Sequence, residues 1–229
     1  MKPLFLIITG INHECNEFEF YKSILEDQYD IECIQLAASN LVSPSAFSAL
    51  LDNAGKFNLG GRNVFIMAHS FGCIVALYLV KQYNIETTTE LLFIDPTTQY
   101  MRRHAERIGM YLGELLDAAP KDVVSRTIVF TYWPQGCTPK SCLSKHIDQH
   151  DARVGAIKKL WSDPAHPTIV SLYLPSSKLA YIPHNLHRLL PNNIGKHIAL
   201  PTMTAGRYTR RVHKKQKTHR KRNTIRVYH

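Results

Sequence analysis

The chain has 229 residues, 45% apolar and 20% charged, which is long enough for one sizeable core and ordinary for a globular protein. No apolar run approaches the roughly 18 residues that span a bilayer. The apolar start Leu4–Ile8 is too short for a secretory leader, so an intracellular protein, cytoplasmic or nuclear, is expected. Net charge is +10, but ten of the 28 Lys and Arg residues lie between Arg207 and His229 with no acid among them, so residues 1–206 are neutral.

Pro3–Gly10 is a continuous apolar run ended by glycine, the pattern of a strand buried on both faces. Asp30–Ala37 reads as a second strand. Ser43–Phe57 carries Phe47, Leu50, Leu51 and Phe57 at helical spacing, with Ser43 as N-cap and Pro44 as first helical residue. Asn63–Ala68 is a strand, and Phe71–Tyr83 a helix apolar nearly all round. Glu90–Ile94 is a strand, Arg102–Leu116 an amphipathic helix, and Ser125–Tyr132 a strand. Ile147, His150, Val154, Ile157 and Trp161 mark a helix, Pro167–Leu174 the last strand, and Leu186–His197 a final helix. This alternation predicts an α/β fold with a mostly parallel, doubly wound, six-stranded sheet. Residues 1–206 form its domain, and residues 207–229 are a basic tail too poor in apolar residues to fold in isolation. The five cysteines show no disulfide rhythm, which predicts reduced thiols, with Cys73 as a small core residue.

Ligand sites of such sheets lie at the carboxyl ends of the strands. Ser70 lies at one, in Ala68-His69-Ser70-Phe71-Gly72, a close variant of the nucleophile elbow G-x-S-x-G. Small residues two before and two after the serine are required because the strand-to-helix turn is so tight that larger side chains would collide. The helix that follows aims its N-terminal N–H groups at the serine, where they suit an oxyanion.

From Pro3 to about Leu200 the chain resembles the α/β-hydrolase family, in the compact form that lacks the two leading strands. The elbow is similar to that of small bacterial lipases. The resemblance implies a histidine after the last strand, and Tyr181-Ile182-Pro183-His184-Asn185-Leu186-His187 supplies one. Family members commonly follow the catalytic histidine with a second, often His, three later, a proline seven later and an aliphatic ten later. His187, Pro191 and Ile194 stand in those places, so His184 is the expected base, with His187 next. The loop after Tyr132, where the family usually carries its acid, has no carboxylate. Asp95 at the end of the preceding strand is the first choice, with Asp148 or Asp151 as alternatives. The resemblance implies backbone oxyanion donors at Phe71 and, in Thr9-Gly10-Ile11-Asn12, at Ile11.

The expected activity is hydrolysis of a carboxylester, lipid ester or thioester through an acyl-enzyme on Ser70. Two alternatives stand beside it. One is a catalytically silent hydrolase fold serving as a binding or virion scaffold, favoured by the missing acid after Tyr132. The other is acyl transfer to an acceptor other than water. Arg102–Leu116 reads either as a small lid or as an ordinary helix on the sheet. Cys137, Cys142, His146 and His150 carry metal-capable side chains, but more tightly spaced than in a zinc finger, and His150 falls on an apolar helical stripe. No metal and no cofactor are expected. The expected partners are a small ester or thioester and, through the tail, nucleic acid or another acidic surface. The tail resembles the basic C-termini of many proteins of large DNA viruses. Oligomeric state is not legible.

Overall fold

The computed structural model describes residues 2–85, 89–97, 111–120, 127–132, 168–172 and 225–228. Seven strands form one sheet: β1 (Leu4–Ile11), β2 (Asp30–Leu36), β3 (Val64–His69), β4 (Thr89–Ile94), β5 (Thr127–Tyr132), β6 (Thr168–Leu172) and β7 (Ile225–Tyr228). Their spatial order is β2-β1-β3-β4-β5-β6-β7, parallel throughout except for the antiparallel pairing of β7 with β6. The parallel sense through β6 is that of the mostly parallel sheet expected. The described helices are α1 (Glu19–Leu25), α2 (Pro44–Asn53), α3 (Gly72–Gln82) and α4 (Leu112–Ala118).

The period of two in β1 and β3 divides the core into two layers. Leu4, Leu6 and Ile8 share one face with Val64, Ile66 and Ala68, and there they meet Phe47 and Leu51 of α2, Leu115 and Leu116 of α4, and nearly all of α3. Phe5, Ile7, Phe65 and Met67 are buried on the other face, where Phe5 stacks on Phe65 and meets the edge of Tyr29. Phe18, Tyr21 and Leu25, buried at helical spacing, belong to α1 and the turn before it. With helices α2 and α3 on one face and apolar side chains buried on both, the sheet is doubly wound, and β1 and β3 must be apolar along their whole length. The Ser43 hydroxyl accepts the Ala46 N–H, the cap that its sequence position predicts.

Four features depart from the sequence reading. Helix α1 is not anticipated from the sequence, because it is only seven residues long and buries just Tyr21 and Leu25. Of the helix expected over Arg102–Leu116, residues 102–110 lie outside the described residues, and the described part, α4, runs to Ala118, past the expected end at Leu116. Its Leu115 and Leu116 join the core, and the Leu115 carbonyl accepts the Tyr78 hydroxyl of α3, so this part of the segment covers the sheet. Strand β7 comes from within the basic tail, where Ile225 and Val227 alternate with Arg226 and add an edge to the sheet.

The fourth departure is a correction. Cys15 and Cys33 form a disulfide, with Cα atoms 6.0 Å apart, so the expectation of reduced cysteines fails for this pair. The parallel pairing of β1 with β2 returns the chain after β1 to the side of β2, which brings together residues 18 apart in sequence. The bond removes the cysteine argument for a reducing compartment. Cys73 is buried as expected. No helix among the described residues is long and apolar enough to cross a membrane.

Candidate active site

Ser70 follows the last residue of β3 and stands two residues before the first of α3. Its φ is 52°, in the left-handed region that costs an L-residue roughly 1–2 kcal/mol. The surrounding backbone holds it there. The Ser70 N–H donates to the Ile94 carbonyl at 2.9 Å, and the Ser70 carbonyl accepts the N–H of Thr97 at 3.2 Å and of Cys73 at 3.2 Å. Hydrogen bonds on both sides thus hold Ser70 in a strained strand-to-helix turn.

The small residues of the elbow answer to close contacts. A Cβ on Gly72 would stand 2.5 Å from the Thr9 carbonyl oxygen and 2.6 Å from that of Ile8, so α3 starts directly against the backbone of β1. Ala68 is fully buried against its neighbours in the core. The Cys73 thiol donates to the Ala68 carbonyl at 3.3 Å, and burial pushes its pKa well above the ordinary thiol value. A thiol held protonated in this way packs and does not react.

The loop after β1 comes equally close. The point that a Cβ on Gly10 would occupy lies 2.8 Å from His69 Nδ1, 3.0 Å from Ser70 Cβ and 3.1 Å from His13 Cδ2. Gly10 is therefore the residue that lets this loop lie beside the serine. The loop's shape is set locally. The register of β1 on β2 shifts between Ile8 and Ile11, and the Thr9 hydroxyl fills the gap, accepting the Leu36 N–H and donating to the Gly10 carbonyl, each at 3.0 Å. The Gly10 carbonyl also accepts the His13 N–H at 3.1 Å, closing a turn in which Asn12 takes φ 62°. Asparagine tolerates that conformation better than other non-glycine residues. Ile11, the expected second oxyanion donor, lies inside this turn. Phe71, the expected first donor, is buried at the head of α3. Among the described residues no carbonyl accepts its backbone N–H.

Asp95 directly follows β4, buried and also in the left-handed region at φ 46°. The Ser70 and Thr97 hydroxyl oxygens are 3.4 Å apart, so the turn after β4 lies against the serine. The structure thus brings Ser70, Phe71, Ile11 and Asp95 to the carboxyl ends of adjacent strands β1, β3 and β4. His184, His187, Asp148 and Asp151 lie outside the described residues, as do Cys137, Cys142, His146 and His150. Among the described residues, no group of three or more metal-capable side chains is placed to hold an ion.

Three residues near Ser70 were missed in the sequence reading. His69 is fully buried. Its ring stands edge to face with that of His13, centroids 4.7 Å apart. His13 Nδ1 lies 3.2 Å from both carboxylate oxygens of Glu17, which also accepts the Glu14 N–H at 3.0 Å. The available signal was the four-residue spacing of His13 and Glu17 directly after the first strand, the spacing that joins side chains across one helical turn.

No protein-family model matches the chain, and no curated protein matches it. Similar solved structures include the NocB thioesterase domain, 12% identical over 82% of this chain and 91% of that one, with a TM-score of 0.45. The RedJ thioesterase of the prodiginine biosynthetic pathway of Streptomyces coelicolor is 13% identical over 86% and 90%, TM-score 0.47. The Bacillus licheniformis lipase BlEst2 is 14% identical over 82% and 89%, TM-score 0.46.

Proposed function

We propose that the protein is a serine hydrolase of carboxylesters, lipid esters or thioesters that works through an acyl-enzyme on Ser70. The observation that carries this reading is the strained conformation of Ser70 at the end of β3, pressed between Gly10 and the start of α3. Strain of this kind persists where the surroundings over-determine it, and such positions cluster at reactive groups.

In the proposed reaction the Ser70 oxygen attacks the acyl carbonyl while His184 takes its proton. Negative charge develops on the carbonyl oxygen, where the Phe71 and Ile11 N–H groups receive it. His184 returns the proton to the departing alcohol or thiol, and the acyl group remains on Ser70. Water, activated by the same imidazole, then releases the acid. Asp95 orients His184 and supports its charged form. The basic tail, residues 207–229, serves as a contact for nucleic acid or another acidic surface, and residues 1–206, joined by the tail's strand β7 at the sheet edge, form the catalytic domain.

Trapping the intermediate tests the mechanism. With a slowly deacylating p-nitrophenyl ester, the chain should release one burst equivalent of nitrophenol and gain the acyl mass on the peptide that contains Ser70. Turnover with neither burst nor adduct would contradict the acyl-enzyme.

A further inference from the structure

The turn after β4 holds Ser70 by three contacts. The Ile94 carbonyl accepts the Ser70 N–H at 2.9 Å, and the Thr97 N–H donates to the Ser70 carbonyl at 3.2 Å. Between these two backbone bonds the chain carries Asp95 and Pro96, with Asp95 in the left-handed region. The third contact is between side chains, since Thr97 Oγ1 lies 3.4 Å from Ser70 Oγ. Thr97 is buried and its branched side chain has few rotamers, so its hydroxyl stays where the backbone bond puts it. Among the described residues, Ser70 Oγ is the only hydrogen-bond partner of that hydroxyl.

Thr97 has no part in the reaction as proposed, yet it touches the reacting atom. In the free enzyme either oxygen can donate. In the acyl-enzyme Oγ is an ester oxygen without a hydrogen, so Thr97 is then the donor. We propose that Thr97 is a further catalytic residue of the Ser70 site, whose hydroxyl donates to Ser70 Oγ as that atom leaves the acyl group in deacylation. Water adds to the acyl carbon while His184 takes one of its protons. The bond from that carbon to Oγ then breaks, its electron pair stays on Oγ, and His184 returns the proton there. Thr97 keeps its own proton throughout. Its hydrogen bond meets a weak acceptor in the ester and a strong one as charge gathers on Oγ. A contact that strengthens on the way to the transition state lowers the barrier. Acylation gains nothing comparable, because Oγ gives up electron density as it attacks. A separation of 3.4 Å is long for two hydroxyls, as catalytic hydrogen bonds often are before substrate is bound. This inference rests on the proposed acyl-enzyme at Ser70.

The test separates the two half-reactions with a slowly deacylating p-nitrophenyl ester, in wild type, Thr97→Val, Thr97→Ala and Thr97→Ser. The nitrophenol burst measures acylation, and the decay of the acyl mass on the intact protein measures deacylation. Thr97→Val and Thr97→Ala should deacylate about tenfold more slowly than wild type while their acylation changes by no more than about twofold. Thr97→Ser keeps the hydroxyl and should recover most of the deacylation rate. Deacylation unchanged without the hydroxyl, or acylation and deacylation slowed alike, overturns the inference and leaves the hydrolase reading standing. So does a Thr97→Ser variant that deacylates as slowly as Thr97→Val. A folded wild type with neither burst nor acyl mass overturns both.

Discussion

A Cβ on Gly10 would lie 3.0 Å from Ser70 Cβ, so the loop after β1 and the turn after β3 approach each other closely at Ser70. Neither loop can shift without moving the other. The proposed donor Ile11 lies in the turn directly after Gly10, so a side chain at position 10 would displace it. Gly10→Ala should therefore lower kcat/KM by about 100-fold or more, since a displacement on the order of 1 Å costs that much in a preorganised site. Overpacking should cost about 1–3 kcal/mol of stability. Ester kinetics and a urea titration on the same protein measure the two effects.

The strain at Ser70 has its own signature. Glycine adopts φ 52° freely and alanine does not, so Ser70→Gly should unfold at higher denaturant than Ser70→Ala, by about 1 kcal/mol. Both variants should be inactive. Equal stability of the two would show that the turn carries no strain.

The disulfide closes a loop between residues 18 apart, which constrains the unfolded chain. Replacing Cys15 and Cys33 together by serine should cost about 2–4 kcal/mol, read from denaturant unfolding. A reductant should bring the wild type to the same midpoint as the double variant.

Tyr78 ties α3 to α4 through its hydrogen bond to the Leu115 carbonyl at 3.1 Å. Burial first, and then the neighbouring Tyr111, push its pKa from 10.0 up to about 12. A phenol with a raised pKa keeps its proton more tightly in the folded state. Its contribution to stability is complete below pH 10 and is lost as the pH climbs toward 12. Unfolding midpoints should fall over that interval in wild type, and the part of the fall due to Tyr78 should vanish in Tyr78→Phe. At neutral pH the same variant should cost about 1 kcal/mol for the lost hydrogen bond.

Most of the sheet was legible because parallel strands buried on both faces read as apolar runs, as Leu4–Ile8 and Val64–Ala68 do. Ser70 was legible for a related reason. A polar residue between a buried strand and a buried helix, flanked by Ala68 and Gly72, is costly unless the turn needs it. The rest depended on contacts between distant residues. Cys15 meets Cys33 only because β2 pairs with β1, and nothing in their spacing shows that register. The left-handed φ of Asp95 is a backbone property that the Asp-Pro pair does not reveal in the sequence. Strand β7 hides among lysines and arginines because an edge strand needs only alternate apolar residues. His13 is one of twelve histidines, and its meaning lies in Glu17 on one side and Gly10 on the other.

Whether Ser70 is activated can be read directly with a fluorophosphonate probe, because such probes react with activated serines. Wild type should label, with the adduct on Ser70, and labelling should disappear in Ser70→Ala and in His184→Ala. Folded wild type that takes no label, or labelling that persists without Ser70, would contradict the account.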